Sequence, residues 1–104
     1  MSPDITHPSG MVRGSTVGKT NYLLVRDGPM LERWARLLSD AAPTKGKRNW
    51  MQADGPDDLE RFREGAARHF EQWLRGDVDE DHAAAAIFNL NGALYVEEKI
   101  RRRG

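Results

Sequence analysis

The sequence predicts an all-α fold: a small helical bundle of three main helices with an extended N-terminal arm, completed by oligomerisation. Two segments repeat apolar residues at helical spacing, a third is apolar nearly all round, and Pro, Gly and acidic residues punctuate their ends. At 104 residues and without an internal repeat, the chain divides into a flexible N-terminal arm, residues 1–20, and a single helical domain, residues 21–104. A domain of roughly 80 residues buries only about 60–65% of its extended-chain surface, so self-association would help it.

The arm carries Pro3, Pro8, Gly10, Gly14 and Gly18 with Ser and Thr between them and no apolar period. Tyr22 to Val25 is a short apolar run, read as an extended segment lying on the helices because no second strand stands ready to pair with it. Asp27-Gly28-Pro29 opens the first helix, since proline suits the first helical turn. Met30, Leu31, Trp34, Leu37, Leu38 and Ala41 share one face, Glu32, Arg33, Arg36 and Asp40 the other, and Pro43 is expected to end the helix. A loop follows to residue 56.

The second helix starts near Pro56, with Asp57, Asp58 and Glu60 complementing the dipole of its first turn. Leu59, Phe62, Ala66, Phe70 and Trp73 mark its expected buried stripe, and Gly76 its stop. After an acidic turn, Asp79 or Asp81 caps a third helix from about His82 to Arg101. Its stretch from Ala83 to Val96 is apolar nearly all round, broken by Asn89, Asn91 and Gly92, which places it centrally or against another subunit.

Composition narrows the function classes. Sixteen Lys and Arg balance sixteen Asp and Glu, so a binder driven by bulk attraction to nucleic acid is not expected, and nucleic acid is not read as a partner. No apolar run approaches a membrane span and no secretory pattern opens the chain, so no membrane partner is expected and a cytoplasmic protein is. The absence of cysteine removes disulfides, thiolate metal sites and cysteine nucleophiles.

Several groups can carry chemistry. Asp77, Asp79, Glu80 and Asp81 put four carboxylates within five residues, followed directly by His82; hard cations such as magnesium take carboxylate oxygens, although such acids also simply cap helices. His69 lies about 60° from the centre of the second helix's stripe, at the edge of the core, where it can reach a ligand or serve as a structural hydrogen-bonded side chain. Asn89 follows His82 by two helical turns and shares its face among small alanines, which suits a pocket wall or a close helix contact. Lys45, Lys47, Arg48, Asn49 and Trp50 combine cations that hold phosphate oxygens with an aromatic that can stack on a base or fill the core. Gly14-Ser15-Thr16-Val17-Gly18-Lys19-Thr20 looks like a phosphate loop but is one residue short between its glycines and does not follow a buried strand.

From Gly28 to Glu97 these pieces fall in a known order. GPMLERWARLL (28–38), KRNW (47–50), RFREGAARHFEQWLRGD (61–77) and DEDHAAAAIFNLNGALYVEEK (79–99) resemble the phage-type dATP/dGTP diphosphohydrolase N-terminal domain family, itself similar to the MazG-type all-α nucleotide pyrophosphohydrolases. The chain departs from the pattern in three places. DAAPTKG (40–46) stands where the family usually reads like GAKKYG, and Ala85 where a second histidine is common. The MazG-type EExxE and ExxD metal signature is absent, Glu97 and Glu98 being followed by Lys99, Ile100 and Arg101.

The resemblance implies an oligomeric hydrolase that converts purine deoxynucleoside triphosphates to monophosphate and pyrophosphate with Mg2+ (or Mn2+), in the cytoplasm of a bacterial host if phage-encoded. For such an enzyme the metal is assigned to the acidic turn, chiefly Asp77, Asp79 and Asp81, and the attacking water is oriented or deprotonated by His69 or His82. Lys47, Arg48 and Arg68 would hold phosphate oxygens, Trp50 would stack on the base, and Asn49 or Asn89 would read its edge. Arg68 lies nearly opposite the stripe, so it reaches a site only if another subunit covers that face. The alternative expectation is a non-catalytic phage module that binds a nucleotide or a protein partner.

Overall fold

The computed structural model describes residues 4–104. Three helices dominate: α1 (Met30–Lys45), α2 (Gly55–Arg75) and α3 (His82–Arg102). Both α1 and α2 pack on α3, which is the central helix, and α2–α3 is the principal contact.

The N-terminal region corrects two expectations. Residues 4–20 are not without secondary structure: β1 (Asp4–Thr6) and β2 (Val12–Gly14) pair antiparallel, with Ile5 opposite Arg13, around a turn in which Gly10 takes φ +90°. The turn closes by His7 N–H to Met11 C=O at 2.8 Å and Gly10 N–H to His7 C=O at 2.8 Å. All six strand residues are exposed. Residues 1–3, Pro3 among them, lie outside the described residues. Tyr22–Arg26 is a short 3-10 helix rather than an extended segment, because the Asn21 side chain accepts from Leu23 N–H at 3.0 Å and turns the chain. The Gly14–Thr20 run therefore sits between an exposed strand and a five-residue 3-10 helix, which is not phosphate-loop architecture.

Pro43 does not end α1. The helix continues to Lys45, with Pro43 in its last turn, where its ring removes only one backbone hydrogen bond. Gly46 closes it at φ +87°, donating to Ala42 C=O at 2.8 Å.

The start of α2 is fixed reciprocally: Asp54 Oδ1 accepts from Gly55 N–H, and Asp58 Oδ2 accepts from Asp54 N–H, both at 2.8 Å. Gly76, in the left-handed region, ends it as expected. The buried stripe of α2, however, is turned from the one expected. Phe70 and Trp73 stack on each other but stay 53% and 50% exposed, while Gly65 is buried and Phe62, His69 and Gln72 are partly buried. The cause lies in α3, whose buried residues are small: Ala84, Ala85, Gly92 and Ala93 beside Val96. A Cβ on Gly92 would stand 2.5 Å from the Phe62 ring, and one on Gly65 would overlap the Asn89 side chain. Glycines thus let the two helices approach, and His69 lies in the seam rather than at its edge.

This seam is nearly the whole core. Tyr22, Leu23, Leu24, Val25, Leu74, Leu90 and Leu94 are all about half or more exposed. The radius of gyration is 18.6 Å, against about 13 Å for a compact chain of this length. No helix among the described residues is long and apolar enough to cross a membrane.

Candidate active site

Two groups of side chains meet along α2 and α3. The first is a cleft of about 820 Å³ between the end of α1, the segment 46–53, α2 and α3. It sits within the usual size range of small-molecule sites. Its walls include Trp50, Phe62 and Phe88, and four cations, Lys45, Lys47, Arg48 and Arg61, face one acid, Asp58. Asn49 and Asn89 complete it. The segment Asn49–Gln52 is a 3-10 turn reached through Arg48 at φ +59°. Lys99 of α3 pins that turn by donating to Met51 C=O at 2.8 Å and Ala53 C=O at 2.9 Å. Trp50 rests edge-on against Phe88 and Tyr95, at centroid distances of 6.5 and 5.0 Å, and is only half-buried.

The second group lies two helical turns away along α3, about 10.5 Å at the helical rise. His82, 2% exposed, faces His69 with Nδ1 to Nδ1 at 2.9 Å. The other ring nitrogen of His82 is 2.7 Å from Asp79 Oδ1. Glu80 Oε1 stands 3.8 Å from His69 Nδ1. Burial holds His69 below the ordinary histidine range, with the Glu80 charge acting the other way. The hydrogen bond with His82 holds Asp79 below the ordinary carboxylate range. Asn89 links the two groups: its Oδ1 lies over Gly65, one turn from His69, and its Nδ2 donates to Ala85 C=O at 2.7 Å.

The structure thus gathers Lys47, Arg48, Asn49, Trp50 and Asn89 in the cleft, and His69, His82 and Asp79 in the seam. It does not gather the three aspartates expected to hold magnesium. Asp77 is bound by Arg75 at 2.6 Å. Asp81 caps α3 by accepting from Ala84 N–H and takes a two-pronged ion pair from Arg33 at 2.6 and 2.8 Å. Hydrogen bonds from Arg33 hold the Asp81 carboxyl at about 2. Arg68 is exposed on α2 and does not line the cleft, while, beside burial, its charge helps to hold His69 of the seam below the ordinary range.

Sequence reasoning missed Asp58 and Arg61 as cleft residues and Glu80 as the carboxylate nearest His69. An (i, i+3) pair of opposite charges beside Phe62 on α2 was the one signal for the first two, and it is common on any solvated helix.

A cation-rimmed aromatic cleft of small-molecule size, joined by one helix face to a histidine–carboxylate cluster with groups able to move a proton, sets the chain among all-α helical domains. The chain belongs to the dATP/dGTP diphosphohydrolase, N-terminal family, whose model matches residues 9–103. That family is named for nucleotide hydrolysis. No curated protein and no solved structure matches the chain.

Proposed function

We propose that this chain binds a purine deoxynucleoside triphosphate and hydrolyses it to the monophosphate and pyrophosphate. The cleft carries the reading: three aromatic rings and four cations against one acid suit a ligand with an aromatic base and an anionic tail. The family name supplies the purine and the deoxyribose.

The base stacks on Trp50, an interaction worth about 1–3 kcal/mol per base. Asn49 and Asn89 offer an amide to its edge. Lys45, Lys47, Arg48 and Arg61 hold phosphate oxygens, and the tail runs along the seam towards His69 and His82. Water attacks phosphorus, the bond to the pyrophosphate oxygen breaks, and the water's proton passes to the seam cluster. While no ion occupies the seam, His69, kept neutral by burial, can accept it on Nε2. Arg68 takes part only where a second copy covers its face.

Magnesium or manganese is expected to accompany the triphosphate that it neutralises. Asp77, Asp79 and Asp81 do not fit a cage for it, two being held by arginines and the third by His82. This reading places the protein among the enzymes that set a deoxynucleotide pool, in a bacterial cytoplasm and, if phage-encoded, during infection. Self-association is part of it, because the apolar faces of α2 and α3 are left open.

Incubation of the full chain with each deoxynucleoside triphosphate and Mg2+, followed by phosphorus NMR, tests the proposal. Equimolar monophosphate and pyrophosphate from dATP or dGTP is the expected result. Stepwise release of inorganic phosphate, or a nucleotide-dependent rise in melting temperature with no product, would instead make the chain a different hydrolase or a binding module.

A further inference from the structure

We infer that His69, His82 and Glu80 form a site for a divalent transition-metal ion of the zinc class, with Asp79 as the carboxylate that positions His82. Ligand atoms of the three residues lie within 4.8 Å of one another, near enough to converge on one ion through small side-chain shifts. The inference stands apart from the hydrolytic reading, since it needs no nucleotide.

The two Nδ1 atoms face each other at 2.9 Å. Two lone pairs do not sit at that separation; a proton lies between them when no ion is bound, and the two nitrogens of a tetrahedral zinc-class ion would stand only a few tenths of an ångström further apart, at about 3.3 Å. Asp79 Oδ1, at 2.7 Å, accepts the Nε2 proton of His82 and so leaves a lone pair on its Nδ1. A carboxylate behind an imidazole is the usual support of a metal-binding histidine: it fixes the tautomer and raises ligand basicity. Without an ion, His69 Nδ1–H donates to that lone pair. With one, neutral His69 carries its proton on Nε2 and both Nδ1 lone pairs turn to the ion.

The protein has already removed His82 from water, so little further desolvation is needed there. One ligand comes from the C-terminal half of α2 and one from the first turn of α3, elements that glycine packing brings close together. Two neutral imidazoles and the charges of Glu80 and Asp79 match a doubly charged ion. Imidazole donors favour zinc, cobalt and their neighbours, whereas Mg2+ and Ca2+ want oxygens. Arg33 and Arg75 occupy the carboxylates of Asp81 and Asp77 that an oxygen-only site would need. Three protein ligands leave coordination positions open, as in sites that act on a bound water or phosphate rather than in closed structural ones.

Equilibrium dialysis of the full chain against Zn2+ or Co2+ without nucleotide, with metal analysis and the visible spectrum of bound Co2+, tests the site. One ion per chain is expected, unaffected by excess Mg2+. His69→Gln should lose stoichiometric binding, Glu80→Gln should weaken it about tenfold or more, and Asp79→Asn by about 10–100-fold. Asp77→Asn should bind as wild type does. His82 is so buried that its replacement risks unfolding; the exposed Glu80 and the half-buried His69 are therefore the deciding variants. Absence of stoichiometric binding, competition by Mg2+ at equal concentration, or wild-type affinity in both His69→Gln and Glu80→Gln would overturn the site. None of these results depends on whether dATP or dGTP is hydrolysed.

Discussion

Single charged side chains fasten this small protein at places where its core cannot. Lys99 is one: it follows Glu97 and Glu98 near the end of α3, and its ammonium crosses to two carbonyls of the 49–53 segment and lies 4.9 Å from the Tyr95 ring centre. Lys99→Met should leave those carbonyls without their charged donor, costing about 1.5–3 kcal/mol. Amide exchange in residues 49–53 should accelerate while α2 is unaffected; unchanged exchange there would show that Lys99 does not hold the turn. Asp54 is another, capping α2 and pairing with Arg103 at the end of α3 through two 2.6 Å contacts. Hydrogen bonds from Arg103 hold its carboxyl at about 2. Since the unfolded carboxyl titrates near 3.9, this ion pair contributes fully above about pH 4 and its contribution fades as the pH falls towards 2. Urea midpoints of wild type and Asp54→Asn should therefore differ at pH 6 and converge near pH 2. A constant gap would mean that the pair does not titrate as the geometry requires.

At the scale of the helices, the deciding feature is the glycine-mediated approach of α2 to α3. Gly92→Ala drives a methyl into the Phe62 ring. An overpacking cost of about 1–3 kcal/mol is expected, seen as a lower melting temperature, together with displacement of His69 from His82. A Gly92→Ala variant as stable as wild type would show that the helices are free to separate. This approach also explains what the sequence could and could not reveal. The three helices were legible because their apolar periods and stop residues are local. The stripe of α2 was not: Phe62 belongs to two apolar arcs, one through Phe70 and Trp73 and one through Gly65, His69 and Gln72, and hydrophobicity favours the first. The second wins within the chain because Gly65 leaves room for the Asn89 side chain and Gly92 leaves room for the Phe62 ring. RNW, His82 and Asn89 were legible in the site as rare residue types at fixed spacing. Asp58, Arg61 and Glu80 were not, being ordinary charges among many. The acidic turn was visible as a cluster, but nothing in it announced that Arg33, 48 residues away, would claim Asp81.

The whole molecule is open. Its accessible surface is 8410 Å², whereas a compact monomer of its mass exposes about 5,900 Å². The excess is of the size that a permanent subunit interface buries, and the exposed Phe70, Trp73, Leu74, Leu90 and Leu94 lie on the helices that also build the site. Light scattering at tens of micromolar should give a dimer or larger species, and Trp73→Glu with Leu94→Glu should shift it towards monomer. A monomeric wild type would leave the open faces unexplained by self-association.

Cleft and seam are held to be two ends of one site, and paired binding and turnover measurements address that most directly. Calorimetric titration with dGTP and initial-rate pyrophosphate release are made on wild type, Trp50→Leu and His69→Gln. Trp50→Leu should weaken binding by about 5–150-fold, the range that about 1–3 kcal/mol of stacking gives. His69→Gln should bind within a few-fold of wild type and lose about 10²–10⁴ in turnover. Full turnover in His69→Gln, or nucleotide binding indifferent to Trp50, would contradict it.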